Sequence, residues 1–190
     1  MKKIVALLSA AIMLLLLSSC DMPKIKKRIP NVETVTLSDS DSSYLKENYS
    51  DVASDIEKSL TDNISVSNEL YKRINKYRQQ FELDIVKYDT TLSVIASVRA
   101  EEIAQSGKFS HHRPDDKGYF STAFQEYGFD SGNVGENLAK TYKTEEEAFD
   151  AWRNSSYHNA CMLDKRWTKI GIGYAEMEDG TPVWVTEFSD

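Results

Sequence analysis

The C-terminal stretch constrains the fold most tightly. Ile170, Ile172 and Tyr174 alternate with Lys169, Gly171 and Gly173, which is the period of a strand. Asp179-Gly180 marks a turn. Val183, Trp184, Val185, Thr186 and Phe188 follow, apolar on both faces. Such a strand belongs at the centre of a sheet that is covered on both sides, and Gly171 and Gly173 leave room for a close neighbour.

Helical patterns precede this hairpin. Val66, Leu70, Ile74, Tyr77 and Phe81 share one helix face. Leu83, Ile85 and Tyr88 lead into a second helix, capped by Asp89, Thr90 or Thr91. Its apolar face is Leu92, Ile95, Ala96 and Ile103, and Gly107 stops it. A weaker third covers about 117–127 and ends at Gly128. Thr144-Glu145-Glu146-Glu147 is a capping box for a fourth, with Ala148, Phe149 and Trp152 as its stripe. The expected class is α+β: an α/β/α sandwich with a small antiparallel sheet covered by helices, over residues 66–190.

The N-terminus reads differently. Lys2 and Lys3 precede an apolar run, Ile4 to Leu17, broken only by Ser9. It is short for a membrane span and fits the apolar part of a secretory leader over residues 1–19. The run ends in Leu17-Ser18-Ser19-Cys20, which resembles a bacterial lipobox and implies lipidation of Cys20. Several acyl chains make a stable membrane anchor where one is marginal. Lys24, Lys26, Lys27 and Arg28 follow, suited to anionic headgroups. From Asn31 to about Asn63 the chain is acidic and Ser/Asp-rich, without sustained period. Residues 20–65 are therefore expected to form a flexible tether with a mean reach of roughly 35–40 Å.

Charge and cysteine usage narrow the function classes. The chain has 23 Lys+Arg against 30 Asp+Glu, a net charge of −7, and losing Lys2 and Lys3 with the leader takes it to −9. An acidic chain lacks the basic face that nucleic acid requires. With Cys20 lipidated, Cys161 is the lone thiol and packing alone holds the fold.

Three histidines sit in polar segments, Phe109-Ser110-His111-His112-Arg113-Pro114-Asp115 and Ser155-Ser156-Tyr157-His158. Gly135-Glu136-Asn137-Leu138 adds one glutamate, read as a turn in which the carboxylate bonds backbone amides or a histidine. Adjacent residues of extended chain point to opposite sides, so His112 is expected to face away from His111. Arg113 and Asp115 are expected to pair. If His158 opens a helical turn, Cys161 lies one turn on. That spacing admits a thiol–imidazole pair, although a packed thiol is favoured.

These segments form a longer pattern. In order come Phe109-Ser110-His111 with Arg113-Pro114-Asp115, then Val134-Gly135-Glu136-Asn137-Leu138-Ala139, then Ala151-Trp152-Arg153-Asn154-Ser155-Ser156-Tyr157-His158. Ile170-Gly171-Ile172-Gly173-Tyr174-Ala175 and Trp184-Val185-Thr186-Glu187-Phe188 close the series. The pattern resembles the CAP superfamily (the cysteine-rich secretory, antigen 5 and pathogenesis-related 1 group) in its bacterial single-domain form. The resemblance implies an α/β/α sandwich whose cleft is lined by His111, Glu136 and His158. His112 occupies a slot that is usually not histidine. Ser155 stands where eukaryotic members carry a second glutamate, and their disulfides are absent.

Two facing neutral imidazoles, His111 and His158, suit a divalent cation such as zinc, with water in the remaining positions. Glu136 is the candidate catalytic carboxylate that would steer that water. Three functions follow from the resemblance. The favoured one is a membrane-anchored extracytoplasmic module that binds a lipid, glycan or peptide in the His/Glu cleft, with Glu136, Ser155 and His112 as further lining residues. The second is a metal-dependent hydrolase in the same cleft. The third is a non-catalytic structural or interaction protein of the cell envelope.

Overall fold

A computed structural model describes residues 26–190. The leader, Cys20 and Lys24 lie outside the described residues. Among the described residues no helix is long and apolar enough to cross a membrane.

Among the described residues four strands make one sheet: β1 (Lys87–Tyr88), β2 (Val134–Lys140), β3 (Lys169–Glu176) and β4 (Pro182–Ser189), in the order β1-β3-β4-β2. β4 runs antiparallel to both neighbours and every one of its residues is buried. This is the central strand that its two-faced apolar pattern requires. β1 is parallel to β3, so the sheet is antiparallel except at that edge. Leu83–Tyr88 leads into this edge strand, and the helix that follows starts only at Thr90. β2 is a strand where the Gly-Glu-Asn segment reads as a turn. Its buried positions include Glu136 and Asn137, polar residues that disguise the pattern.

Helices cover both faces. On one side lies α4 (Thr90–Ser106), capped by Asp89 accepting from the Leu92 N–H at 3.0 Å and ended by Gly107 in the left-handed region (φ +68°). The approach of α4 to the sheet depends on glycine. A Cβ on Gly171 would fall 2.1 Å from the Leu92 carbonyl carbon, and one on Gly173 would fall 2.2 Å from that of Ala96. α5 (Ser121–Tyr127) lies beside α4 and is shorter than its sequence pattern. The other face carries α3 (Ile64–Gln80), α6 (Glu145–Asn154) and α7 (Ser156–Met162). Leu70, Tyr71, Ile74, Trp152, Met162, Trp167 and Phe188 fill that layer.

The expectation of a flexible tether over residues 20–65 is corrected from Lys26 onward. Asp39–Asn48 forms α1 and Ala53–Asp62 forms α2, and Tyr44, Leu45, Ala53, Ile56 and Leu60 pack on Val94 and Val98 of α4. Ser38 and Asp41 form a capping box that starts α1. Asp41 is buried and receives hydrogen bonds from Thr91 and Tyr127. Upstream, the Val32 N–H donates to Asn68 at 2.8 Å, and Gln79 donates to the Lys27 carbonyl at 2.6 Å. The physical reason is that a few well-placed apolar residues and satisfied polar caps dock a segment whose average composition is polar. Leu45→Ala should therefore lower unfolding free energy by about 2–5 kcal/mol, as deletion of a buried Leu does. Urea denaturation checks this, and an unchanged midpoint would restore the tether.

Candidate functional site

The site is built around a guanidinium under the sheet. Arg99, in the second half of α4, has a side chain with no solvent exposure. Its Nε donates to Glu136 Oε2 at 3.0 Å, Nη1 to Glu102 Oε2 at 2.7 Å, and Nη2 to the Ser110 carbonyl at 3.1 Å. Helix α4, strand β2 and the loop after α4 thus meet on one planar group. A second buried guanidinium, Arg113, donates to Glu102 at 2.7 Å and pairs with Glu126 of α5 at 2.8 Å. Its Nη2 also donates to the Tyr49 hydroxyl at 2.8 Å, and that hydroxyl donates to Glu126 at 2.9 Å. Tyr49 is the C-cap residue of α1, so the docked N-terminal segment braces the site from behind. Arg113 therefore pairs with Glu102 and Glu126, whereas the sequence suggests Asp115. Asp115 instead occupies a left-handed turn position with Asp116 (φ +55° and +58°).

This scaffold orients His111. Nδ1 of its ring lies 2.7 Å from Glu136 Oε1. Glu136 already accepts from an arginine and its side chain is fully buried, so Nδ1 carries the hydrogen and donates. Nε2 is then left with its lone pair. The His111 side chain is 38% exposed, so the ring is open to solvent in part. The loop is closed behind it by the Phe120 N–H donating to the His111 carbonyl at 2.8 Å and by a bridge between His112 and Tyr119. His112 is exposed and stacks edge-on with Tyr119.

His158, near the start of α7, is half-buried. Its pKa is lowered from 6.5, by burial first and by the nearby His111 second. The two histidines, 47 positions apart in sequence, are tied to adjacent residues of β2, the His111 ring to Glu136 and the His158 backbone to Asn137. Asn137 of β2 donates to the His158 carbonyl at 3.1 Å and ties α7 to the strand that carries Glu136. Ser155 is the residue between α6 and α7 and lines a surface hollow with Tyr142, Asp150 and Asn154. Cys161 sits as a packed thiol, the favoured one of its two sequence readings. Its sulfur packs where a Cβ on Gly135 would be, beside Trp167, and burial pushes the thiol up to about 12.

A divalent cation at this site would be held by His111 and His158. His111 presents a lone pair at Nε2, and His158 is biased to its neutral, ligating form. Among the described residues no group of three or more His, Cys, Asp and Glu side chains could share a metal, so these residues would supply at most two ligands to one ion. Glu136 does not reach outward. Both its oxygens are bonded, to Arg99 and to His111, so it orients an imidazole instead of meeting a substrate. Nothing in the sequence pattern singles out Arg99, Glu102 or Tyr49. Only the i,i+3 spacing of Arg99 and Glu102 hints at their pairing.

The model of the cysteine-rich secretory protein (CAP) family matches residues 71–188. The Bacillus subtilis protein YkwD is 33% identical over 114 residues, 60% of this chain and 43% of its own. The B. subtilis membrane protein YlbC is 26% identical over 120 residues, 57% of this chain and 35% of its own. The chain thus spans less than half the length of either relative. Among solved structures, an outer surface protein from Borrelia burgdorferi superposes with a TM-score of 0.60 at 21% identity, covering 67% of this chain and 94% of that one. An extracellular SCP-domain protein from Bacillus anthracis gives 0.59 at 21% identity over 66% of this chain and 40% of that one. At those identities the likeness is one of fold.

The proximity of the two imidazoles has a direct readout. His158 should titrate with a midpoint below 6.5 by NMR, and His111→Ala should move it part of the way back up. A His158 midpoint unaffected by His111→Ala would mean that the rings do not share a site.

Proposed function

The chain belongs to the CAP family of cysteine-rich secretory proteins, and from that premise we propose that it is an extracytoplasmic ligand-binding module, anchored through a lipidated Cys20, whose site is the surface around His111 and His158. One observation carries the reading. The 2.7 Å contact between Glu136 and Nδ1 fixes the His111 ring and leaves Nε2, on a side chain that is partly exposed, as the acceptor. A fixed, half-exposed imidazole beside a second, neutral one is a polar anchor for a ligand or a divalent cation such as zinc.

The surroundings favour binding over hydrolysis. The Glu136 side chain is fully buried and both its oxygens already accept hydrogen bonds, from Arg99 and from His111, so it does not face a solvent water. Exposed aromatic rings stand near the histidines in sequence: Phe109, Tyr119 and, at 88% exposure, Tyr157. Tyr119 also packs against both the His111 and the His112 rings. Such rings supply contact area to a lipid, glycan or peptide at low entropic cost. The B. anthracis and B. burgdorferi proteins are described as extracellular and outer surface proteins, in agreement with an extracytoplasmic setting.

Anchoring has a geometric consequence. Five residues separate Cys20 from Lys26. At full extension that connection spans only about 20 Å, so the domain stays near the lipid surface.

Zinc is the probe for the site. Isothermal titration should show binding that His111→Ala and His158→Ala each weaken by about tenfold or more, the loss expected when one of two ligands goes. Affinity unchanged in both variants contradicts the reading. Cys20→Ser should release the full chain from membranes into the soluble fraction, and retention would contradict the anchor.

A further inference from the structure

One buried acid is left unexplained by the site. Glu187 lies on β4 and pairs in register with Glu136 on β2 and with Gly171 on β3. Residues opposite each other across an antiparallel ladder project on the same face. Glu187 and Glu136 therefore stand side by side beneath α4, where Glu187 is 0% exposed. Among the described residues, no N–H or O–H group donates to either Glu187 oxygen. The side chain that faces it across the ladder is the carboxyl group of Glu136.

The surrounding charges leave no cation for it. Arg99 of α4 is taken by Glu136 and Glu102, and Arg113 by Glu102 and Glu126. The Cys161 thiol of α7, on the far side, is held neutral by burial, and His111 lies beyond Glu136. Two ionised carboxylates facing each other in a buried site repel, and a single proton between them turns that repulsion into a hydrogen bond.

We propose that Glu187 is a neutral carboxylic acid that donates its proton to Glu136 in a hydrogen bond, making it a positioning residue for His111. The chain of contacts runs from the Glu187 O–H to Glu136, and from Glu136 Oε1 to the Nδ1–H of His111. Glu136 then has three donors around it, Arg99, His111 and Glu187, which lock one orientation of its carboxylate and so the plane of the imidazole. Burial first, and the Glu136 carboxylate second, raise the Glu187 acid well above 4.5, against the opposing pull of Arg99 and Arg113. The inference concerns the site proposed above but does not depend on which ligand it takes.

The test uses Glu187→Gln, whose amide donates the same bond without an acidic proton. An acid whose folded pKa lies above its unfolded value stabilises fully below the unfolded value and loses that stability as pH rises towards the folded one. Thermal melts from about pH 5 to about pH 9 should therefore show the wild type falling progressively behind Glu187→Gln as pH climbs. A gap that stays flat across this range would mean an ionised Glu187 and overturn the proposal. The infrared spectrum of the wild type at neutral pH should contain the carbonyl band of a protonated carboxylic acid, absent from Glu187→Gln. No difference band would likewise overturn it. For the positioning role, nitrogen NMR of His111 should show the same single tautomer in Glu187→Gln as in the wild type, and a tautomer mixture in Glu187→Ala. Should Glu187→Ala fail to fold, the Gln variant and the infrared band still decide. Zinc binding enters none of these readouts, so failure of the binding function and failure of this inference are separable.

Discussion

The Arg99 guanidinium is the interaction on which the rest of the architecture turns. It is wholly inside the protein, and its three nitrogens reach a strand, its own helix and the loop that presents His111. A buried charge of this kind contributes little net stability when fully paired, but breaking one partner costs about 3–5 kcal/mol. The pairing can form only because α4 lies very close to the sheet. Gly171 and Gly173 permit that approach, and a methyl group at either would collide with helix backbone. Two glycines on a strand thus decide where an arginine head sits, and the arginine decides where a histidine points.

The same network explains why the N-terminal segment is structured. Tyr49, at the end of α1, shares hydrogen bonds with Arg113 and Glu126, and Asp41 accepts from Tyr127 and Thr91. Together with Leu45 and Ile56 these contacts make α1 and α2 a wall behind α4. The family match starts at residue 71, so the wall lies outside the matched region while supporting the residues within it.

What the sequence discloses follows physical lines. β3, β4, α4 and α6 are legible because their periodicity and caps agree: alternation in Ile170–Tyr174, Asp89 and Gly107 at the ends of α4, the Thr144–Glu147 box. α1 is hidden because its capping box uses aspartate and its interior is rich in serine and aspartate, with only Tyr44 and Leu45 as apolar anchors. β2 is hidden because glutamate and asparagine occupy buried positions that pattern reading reserves for apolar residues. The histidines are found through the motif series, but their support is not. Burial of Arg99 and Arg113 comes from tertiary packing that no local signal carries. Glu187 is the instructive case. A strand read as covered on both faces already implies that any acid within it is buried, and that alone marks it for inspection.

The central claim is that a buried carboxylate, fixed by Arg99, holds His111 in one tautomer with its outer nitrogen bare. Nitrogen NMR of the full chain at neutral pH measures this directly. The account predicts hydrogen on Nδ1 and a lone pair on Nε2, the reverse of the form that free imidazole side chains prefer in water. Hydrogen on Nε2 in the native protein would contradict it.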